Sequence, residues 1–104
     1  MIRIGIVGTG KVALRNYIPF LARQIDVTLA YFNRTRAKAD EAASQFGGPV
    51  FGSVTELMDW NPDAVFLLTR ETDRREAALA VLEHRPRRLF FELEEQATRT
   101  VLKH

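Results

Sequence analysis

A glycine-rich turn directly after an apolar run is the feature that most constrains how this chain folds. The run covers residues 2–7, and the residues after it are Gly8, Thr9, Gly10, Lys11, Val12 and Ala13. A buried strand that opens into a helix through the pattern G-x-G-x-x-G/A is typical of sites that bind a dinucleotide pyrophosphate. Gly8 would permit the tight turn, Gly10 would let the backbone approach the phosphates, and Ala13 would let the helix pack closely. The N–H groups at the helix start, including those of Lys11 and Val12, would bind the anion. An ordinary strand-to-helix turn of another α/β protein is the alternative interpretation.

Strand and helix patterns alternate along the chain. The predicted strands are residues 2–7, 27–32, 50–51, 64–68 and 89–91. The predicted helices are residues 11–22, 35–46, 53–60 and 73–84. This alternation indicates βαβ units with right-handed crossovers, so we predict an α/β three-layer Rossmann fold with a mostly parallel five-stranded sheet in the order 3-2-1-4-5. Residues 1–92 would form the dinucleotide-binding domain, and residues 93–104 a C-terminal helical tail.

Local signals predict where some helices begin and end. Ser53 and Glu56 have the spacing of a capping box, and Gly47-Gly48 follows the second predicted helix. Pro19 is disfavoured inside the first predicted helix, because it removes a backbone hydrogen bond.

The end of the second predicted strand bears on the choice of cofactor. A carboxylate that would bind the ribose hydroxyls of NAD stands about 20 residues after the glycines in dinucleotide-binding folds. Here the chain has Asn33, Arg34 and Thr35, followed by Lys38. The guanidinium of Arg34 suits a 2′-phosphate, and no acid is present to repel it. We therefore predict NADP as the cofactor, with NAD as the alternative. A solvated basic helix start, with Asn33 or Thr35 as N-cap, is compatible with phosphate binding.

Composition and charge exclude several function classes. The chain has 15 basic and 13 acidic residues and a formal net charge of +2, so we expect no nucleic-acid partner. It has no cysteine, which excludes thiol catalysis and fits a reducing cytoplasm. No apolar run reaches the ~20 residues of a membrane-spanning helix. We interpret His84 and the acidic residues near the C-terminus as structural, and predict neither a metal site nor a catalytic residue.

Several motifs occur in the order and spacing of one enzyme family. They are the glycine turn at residues 4–10, the proline in residues 18–21, Asn33-Arg34, the apolar strand with threonine at residues 64–69, and residues 90–92. Over residues 2–92 the chain resembles the N-terminal domain of the Gfo/Idh/MocA oxidoreductases, which often have a proline in the first helix. The segment from Asn33 to Lys38 is also similar to the NADP clamp of shikimate dehydrogenases. The resemblance implies NADP(H) binding, with further cofactor contacts from Leu68, Thr69 and Glu92.

The chain departs from this family in two respects. Family members continue into a second domain that binds substrate, and the 104 residues do not include it. Leu93 follows Glu92 at the place where the family has a catalytic lysine. The resemblance therefore implies a cofactor-binding domain that is inactive in hydride transfer on its own. A structural or regulatory dimerisation module without cofactor turnover is the alternative. We also expect a homodimer or larger assembly, because Val101 and Leu102 would have little to pack against.

Overall fold

The computed structural model describes residues 1–10, 16–68, 71–83, 88–91 and 101–103. The described strands are β1 (Ile2–Val7), β2 (Val27–Phe32), β3 (Ala64–Leu67), β4 (Arg88–Phe91) and β5 (Val101–Lys103). The described helices are α1 (Ile18–Ala22), α2 (Arg36–Phe46), α3 (Val54–Asp59) and α4 (Glu71–Glu83). None of the helices in these ranges is both long and apolar enough to cross a membrane.

The strands form one sheet in the order β2-β1-β3-β4-β5. β1 pairs in parallel with β2 and with β3, and β3 pairs in parallel with β4, whereas β5 is antiparallel to β4. Val7 lies level with Phe32 and with Leu67, and Leu67 lies level with Phe91. The four parallel strands therefore end together at one edge of the sheet.

Helices cover both faces of the sheet. One buried cluster joins the sheet to α1 and α2 and includes Ile4, Ile6, Ile18, Leu21, Leu29, Tyr31, Ala39 and Ala42. The other joins the sheet to α3 and α4 and includes Val7, Ala30, Leu57, Met58, Val65, Leu67 and Val81. Neighbouring residues of a strand point to opposite faces, so β1 and β2 supply side chains to both clusters. The result is the three-layer α/β arrangement of a Rossmann-like fold.

The predicted third strand, residues 50–51, is not a strand. Val50 makes a single parallel bridge to Tyr31 at the outer side of β2. Gly48, with φ 110°, comes just before this segment, and Ser53 begins α3 just after it. The segment lies beside β2, as the predicted order requires, but it makes one isolated bridge and not a ladder, because α3 follows only a few residues later.

The fifth strand of the sheet comes from the segment predicted as a helical tail. Within that segment, residues 93–100 and 104 lie outside the described residues, and Val101–Lys103 is a strand rather than a helix. Leu102 pairs with Phe90. Without β5, the outer edge of β4 would have unpaired backbone N–H and C=O groups, and the pairing with β5 provides partners for them.

The predicted helix signals at both ends of the α2–α3 connection are confirmed. The Ser53 hydroxyl accepts a hydrogen bond from the Glu56 N–H at 3.0 Å, and the Glu56 carboxylate accepts one from the Gly52 N–H at 2.9 Å. Helix α2 ends at Gly47, which has φ 82°. Pro19 lies in the first turn of α1, and α1 directly follows Asn16 and Tyr17, which have π-helical geometry.

A buried tyrosine joins β2 to the end of α2. The Tyr31 side chain is fully buried, and its hydroxyl donates to the Gly47 carbonyl at 2.7 Å. Burial raises the pKa of Tyr31 to about 12, since the charged phenolate would be poorly solvated there. The phenol therefore stays protonated and keeps its hydrogen bond at neutral pH.

The two glycines after α2 allow a matched test of this packing. Gly48 has φ 110°, and an added Cβ would collide with the Leu29 carbonyl oxygen. Gly47 has φ 82°, and its Cβ position has no atom within 4 Å. We expect Gly47→Ala to lower the free energy of unfolding by about 1 kcal/mol through backbone strain alone. Gly48→Ala should lower it by about 3 kcal/mol, because a collision adds to that strain. Urea denaturation followed by tryptophan fluorescence measures both, and equal losses would contradict the close approach to Leu29.

Candidate functional site

The glycine turn and the end of β2 lie side by side at the carboxyl edge of the sheet. Gly8 follows Val7 of β1, Asn33 follows Phe32 of β2, and Val7 and Phe32 are level with each other. Ligands of open parallel sheets bind at this edge, where loops from neighbouring strands meet. The candidate site therefore consists of the glycine turn and the β2–α2 connection.

Hydrogen bonds from both neighbouring strands hold the glycine turn in place. On the β2 side, the Gly8 N–H donates to the Phe32 carbonyl at 2.8 Å. On the β3 side, the Leu68 N–H donates to the Val7 carbonyl at 2.8 Å. The backbone N–H of Leu68 therefore holds the residue that precedes the turn, and the Leu68 side chain is largely buried, 9% exposed. Gly8 has φ 100°, a conformation that side chains disfavour, so the structure gives a physical reason for glycine here.

The middle residue of the turn faces inward. Thr9 is fully buried, and its N–H donates to the Asn33 side-chain oxygen at 2.8 Å. The Thr9 hydroxyl has no hydrogen-bond partner among the described residues. The sequence marked Thr9 as a site residue but contained no signal that its side chain would be buried.

Gly10 lies at the accessible side of the turn. It is partly exposed, and within the described ranges no hydrogen bond of its N–H is present. It has no side chain to block a ligand and keeps a backbone donor. These are the two properties that a phosphate needs from a glycine turn, so the residues of the turn fit a dinucleotide pyrophosphate.

Both the oxygen and the nitrogen of the Asn33 side-chain amide form hydrogen bonds. The side-chain oxygen accepts from the Thr9 N–H, and the side-chain nitrogen donates to the Thr35 carbonyl at 3.0 Å. Asn33 therefore connects the glycine turn to the β2–α2 connection. The sequence predicted Asn33 at this site, but only the structure shows these two partners.

Exposed cations follow Asn33. Arg34 and Lys38 are both exposed, and Thr35 is the N-cap residue of α2 without a side-chain capping hydrogen bond. Arg36 is paired with Asp40, with 3.8 Å between the guanidinium and the carboxylate. The connection thus offers positive charge beside the turn, and no acid precedes Asp40 in it.

The remaining predicted site residues are not among those described. Lys11, Val12, Thr69 and Glu92, together with Ala13, lie outside the described residues. In the part of the chain that is described, no group of three or more His, Asp and Glu residues could hold a metal ion.

The fold and the glycine turn define an NAD(P)-binding Rossmann domain. Residues 2–92 match the model of the Gfo/Idh/MocA oxidoreductases, a family with an NAD-binding Rossmann fold. The chain belongs to this family.

Solved oxidoreductases have a similar domain. A 3-ketoreductase from Actinomadura kijaniata, in complex with TDP-benzene and NADP, is 25% identical with a TM-score of 0.75 and matches 89% of this chain. Biliverdin reductase from Synechocystis, in complex with biliverdin and NADP+, is 26% identical with a TM-score of 0.74 and matches 88% of this chain. The myo-inositol dehydrogenase of Lactobacillus casei, in complex with NAD(H) and myo-inositol, shares the fold at 23% identity with a TM-score of 0.78 over 88% of this chain.

The similarity covers only part of these enzymes. The matched region is 30% of the 3-ketoreductase, 29% of the biliverdin reductase and 28% of the inositol dehydrogenase. No curated protein sequence matches the chain.

Proposed function

We propose that this chain binds NADP(H) as the cofactor-binding domain of an oxidoreductase. The observation that supports the proposal is the hydrogen bond between the glycine turn and Asn33, since it holds the turn beside a basic connection that has no acid before Asp40. When bound, the nicotinamide would give or accept a hydride. The residues of this chain would hold and orient the dinucleotide.

The glycine turn would bind the pyrophosphate. Gly8 supplies the left-handed backbone conformation, and Gly10 supplies an accessible surface with a backbone donor. We propose that the N–H groups of Lys11 and Val12 extend this anion site, and that Thr69 and Glu92 contact the rest of the cofactor. Leu68 and Thr9 would contribute through the turn, which their N–H groups help to hold.

The β2–α2 connection would bind the 2′-phosphate of NADP. Arg34 and Lys38 are exposed cations there, and Asn33 is neutral where a carboxylate would repel a phosphate. The guanidinium can bind phosphate through two parallel hydrogen bonds, which a single ribose hydroxyl cannot match. Of the three similar enzymes named above, two were solved with NADP and one with NAD(H), so the choice of NADP rests on the residues of this connection.

Calorimetric titration with NADPH and NADH tests the cofactor preference. We expect NADPH to bind more tightly, and Arg34→Ala to weaken NADPH binding about 10-fold, because charge-assisted hydrogen bonds to the 2′-phosphate are lost. NADH binding should change little. Arg36→Ala is the matched control, since it removes one arginine from the same segment and Arg36 forms an ion pair with Asp40 on α2. Gly10→Val should weaken both cofactors, because a side chain would occupy the pyrophosphate position. Equal affinity of the unaltered chain for NADPH and NADH would contradict the proposal.

We propose further that the 104-residue chain does not catalyse hydride transfer by itself. Transfer needs a substrate held about 3–3.5 Å from the nicotinamide, with a proton donor in reach. The hydrocarbon side chain of Leu93 cannot donate a proton. We expect no sustained NADPH oxidation, followed by absorbance, with a panel of sugars, inositols and small keto-compounds. Sustained oxidation that disappears in Gly10→Val would contradict this.

Self-association is the second candidate property, and a dimerisation module is the alternative function. On α4, Leu79 and Leu82 are 56% and 44% exposed and are three residues apart, so they share one helix face. We propose that this face packs against a second copy of the chain. We also propose a cytoplasmic location, since a chain without cysteine fits a reducing compartment.

Sedimentation velocity should show a dimer that dissociates in the Leu79→Gln/Leu82→Gln variant. The control Ile25→Gln changes a separate residue that is 92% exposed and should leave the dimer intact. A monomer at high concentration would exclude self-association, and a dimer without cofactor binding would favour the alternative function.

A further inference from the structure

The Asn33 side chain lies between the two parts of the candidate site. Its oxygen accepts from the Thr9 N–H at 2.8 Å, and its nitrogen donates to the Thr35 carbonyl at 3.0 Å. The orientation of the amide is fixed by its partners, because a backbone N–H can only donate and a backbone carbonyl can only accept. One side chain therefore provides an acceptor for the turn and a donor for the β2–α2 connection.

The Asn33 amide can satisfy both partners because it has an acceptor oxygen and a donor nitrogen. A carboxylate of the same size could accept from Thr9, but its second oxygen would face the Thr35 carbonyl, and two acceptors repel each other. Alanine would leave both partners without this contact. The Thr35 carbonyl also accepts from the Lys38 N–H at 3.0 Å, so a disturbance there reaches the first turn of α2.

We propose that Asn33 is a positioning residue that couples the pyrophosphate turn to the 2′-phosphate segment. This inference rests on the proposed function. Its consequence is that cofactor specificity depends on an amide with two internal partners, and not merely on the lack of an acid. Asn33→Asp therefore does not convert the site to one for NAD. The variant displaces the segment with Arg34 and Lys38, and its carboxylate stays engaged with Thr9.

Amide hydrogen exchange tests the coupling without any cofactor. In Asn33→Ala, the Thr9 amide should exchange at least 10-fold faster, because its acceptor is gone. The Gly8 amide donates to the Phe32 carbonyl instead and should keep its protection, which also shows that the sheet is folded. In Asn33→Asp, the Thr9 amide should stay protected while the Lys38 amide exchanges faster.

Thr35→Ala is the matched control for the exchange measurement. Asn33 contacts the backbone carbonyl of Thr35, so removal of the hydroxyl leaves that contact in place. The exchange rates of the Thr9 and Lys38 amides should then equal those of the unaltered chain. An unchanged Thr9 exchange rate in Asn33→Ala would overturn the proposal.

Calorimetry with NADPH and NADH tests the consequence for specificity. Asn33→Asp should weaken NADPH binding about 10-fold without any gain in NADH affinity, and Asn33→Ala should weaken both cofactors. A rise in NADH affinity in Asn33→Asp would overturn the proposal, because the acid would then bind the ribose directly. If the unaltered chain binds neither cofactor, the proposed function fails, and the exchange rates still decide whether Asn33 couples the two segments.

Discussion

The candidate site depends on two hydrogen bonds that successive N–H groups of the glycine turn make to the end of β2. Gly8 donates to the backbone of Phe32, and Thr9 donates to the side chain of Asn33. The first hydrogen bond extends the parallel ladder by one residue. In the second, the acceptor is a side-chain oxygen and not a backbone carbonyl. Together they leave Gly10 as the accessible part of the turn. A dinucleotide that bound there would meet the β2–α2 connection without any rearrangement of the strands.

The register of β1 makes this arrangement possible. β1 lies between β2 and β3, with Val7 level with both Phe32 and Leu67. A slip of one residue would move each buried side chain of β1 to the opposite face of the sheet. Both faces are packed by helices, so the core resists such a slip. Packing far from the turn thus fixes the register of β1, and the register determines where the glycine turn begins relative to the ends of β2 and β3.

Local patterns predicted the elements whose causes are local. The apolar run before the glycine turn predicted β1, and the spacing of Ser53 and Glu56 predicted the start of α3. The strand at Val101–Lys103 was missed because its cause is a distant pairing with β4, which propensity cannot detect. The sequence predicted Asn33 as a site residue, but the two hydrogen bonds of its amide, to Thr9 and Thr35, could not be predicted from residue type. Residue type therefore indicated which residues to consider for a site, and the fold determines which of their groups are already hydrogen-bonded within the chain.

An NMR titration of backbone amides with NADP+ tests whether a dinucleotide binds at the glycine turn and the β2–α2 connection. We expect the largest shift changes at Gly10 and over residues 33–38, because the pyrophosphate and the 2′-phosphate would lie there. Residues 60–63 serve as the internal reference. They lie at the opposite edge of the sheet, where the Asp63 carboxylate accepts from the Arg3 N–H at 2.9 Å, and their shifts should not change. Shift changes confined to α4, or no shift changes at saturating NADP+, would contradict a dinucleotide site at the glycine turn.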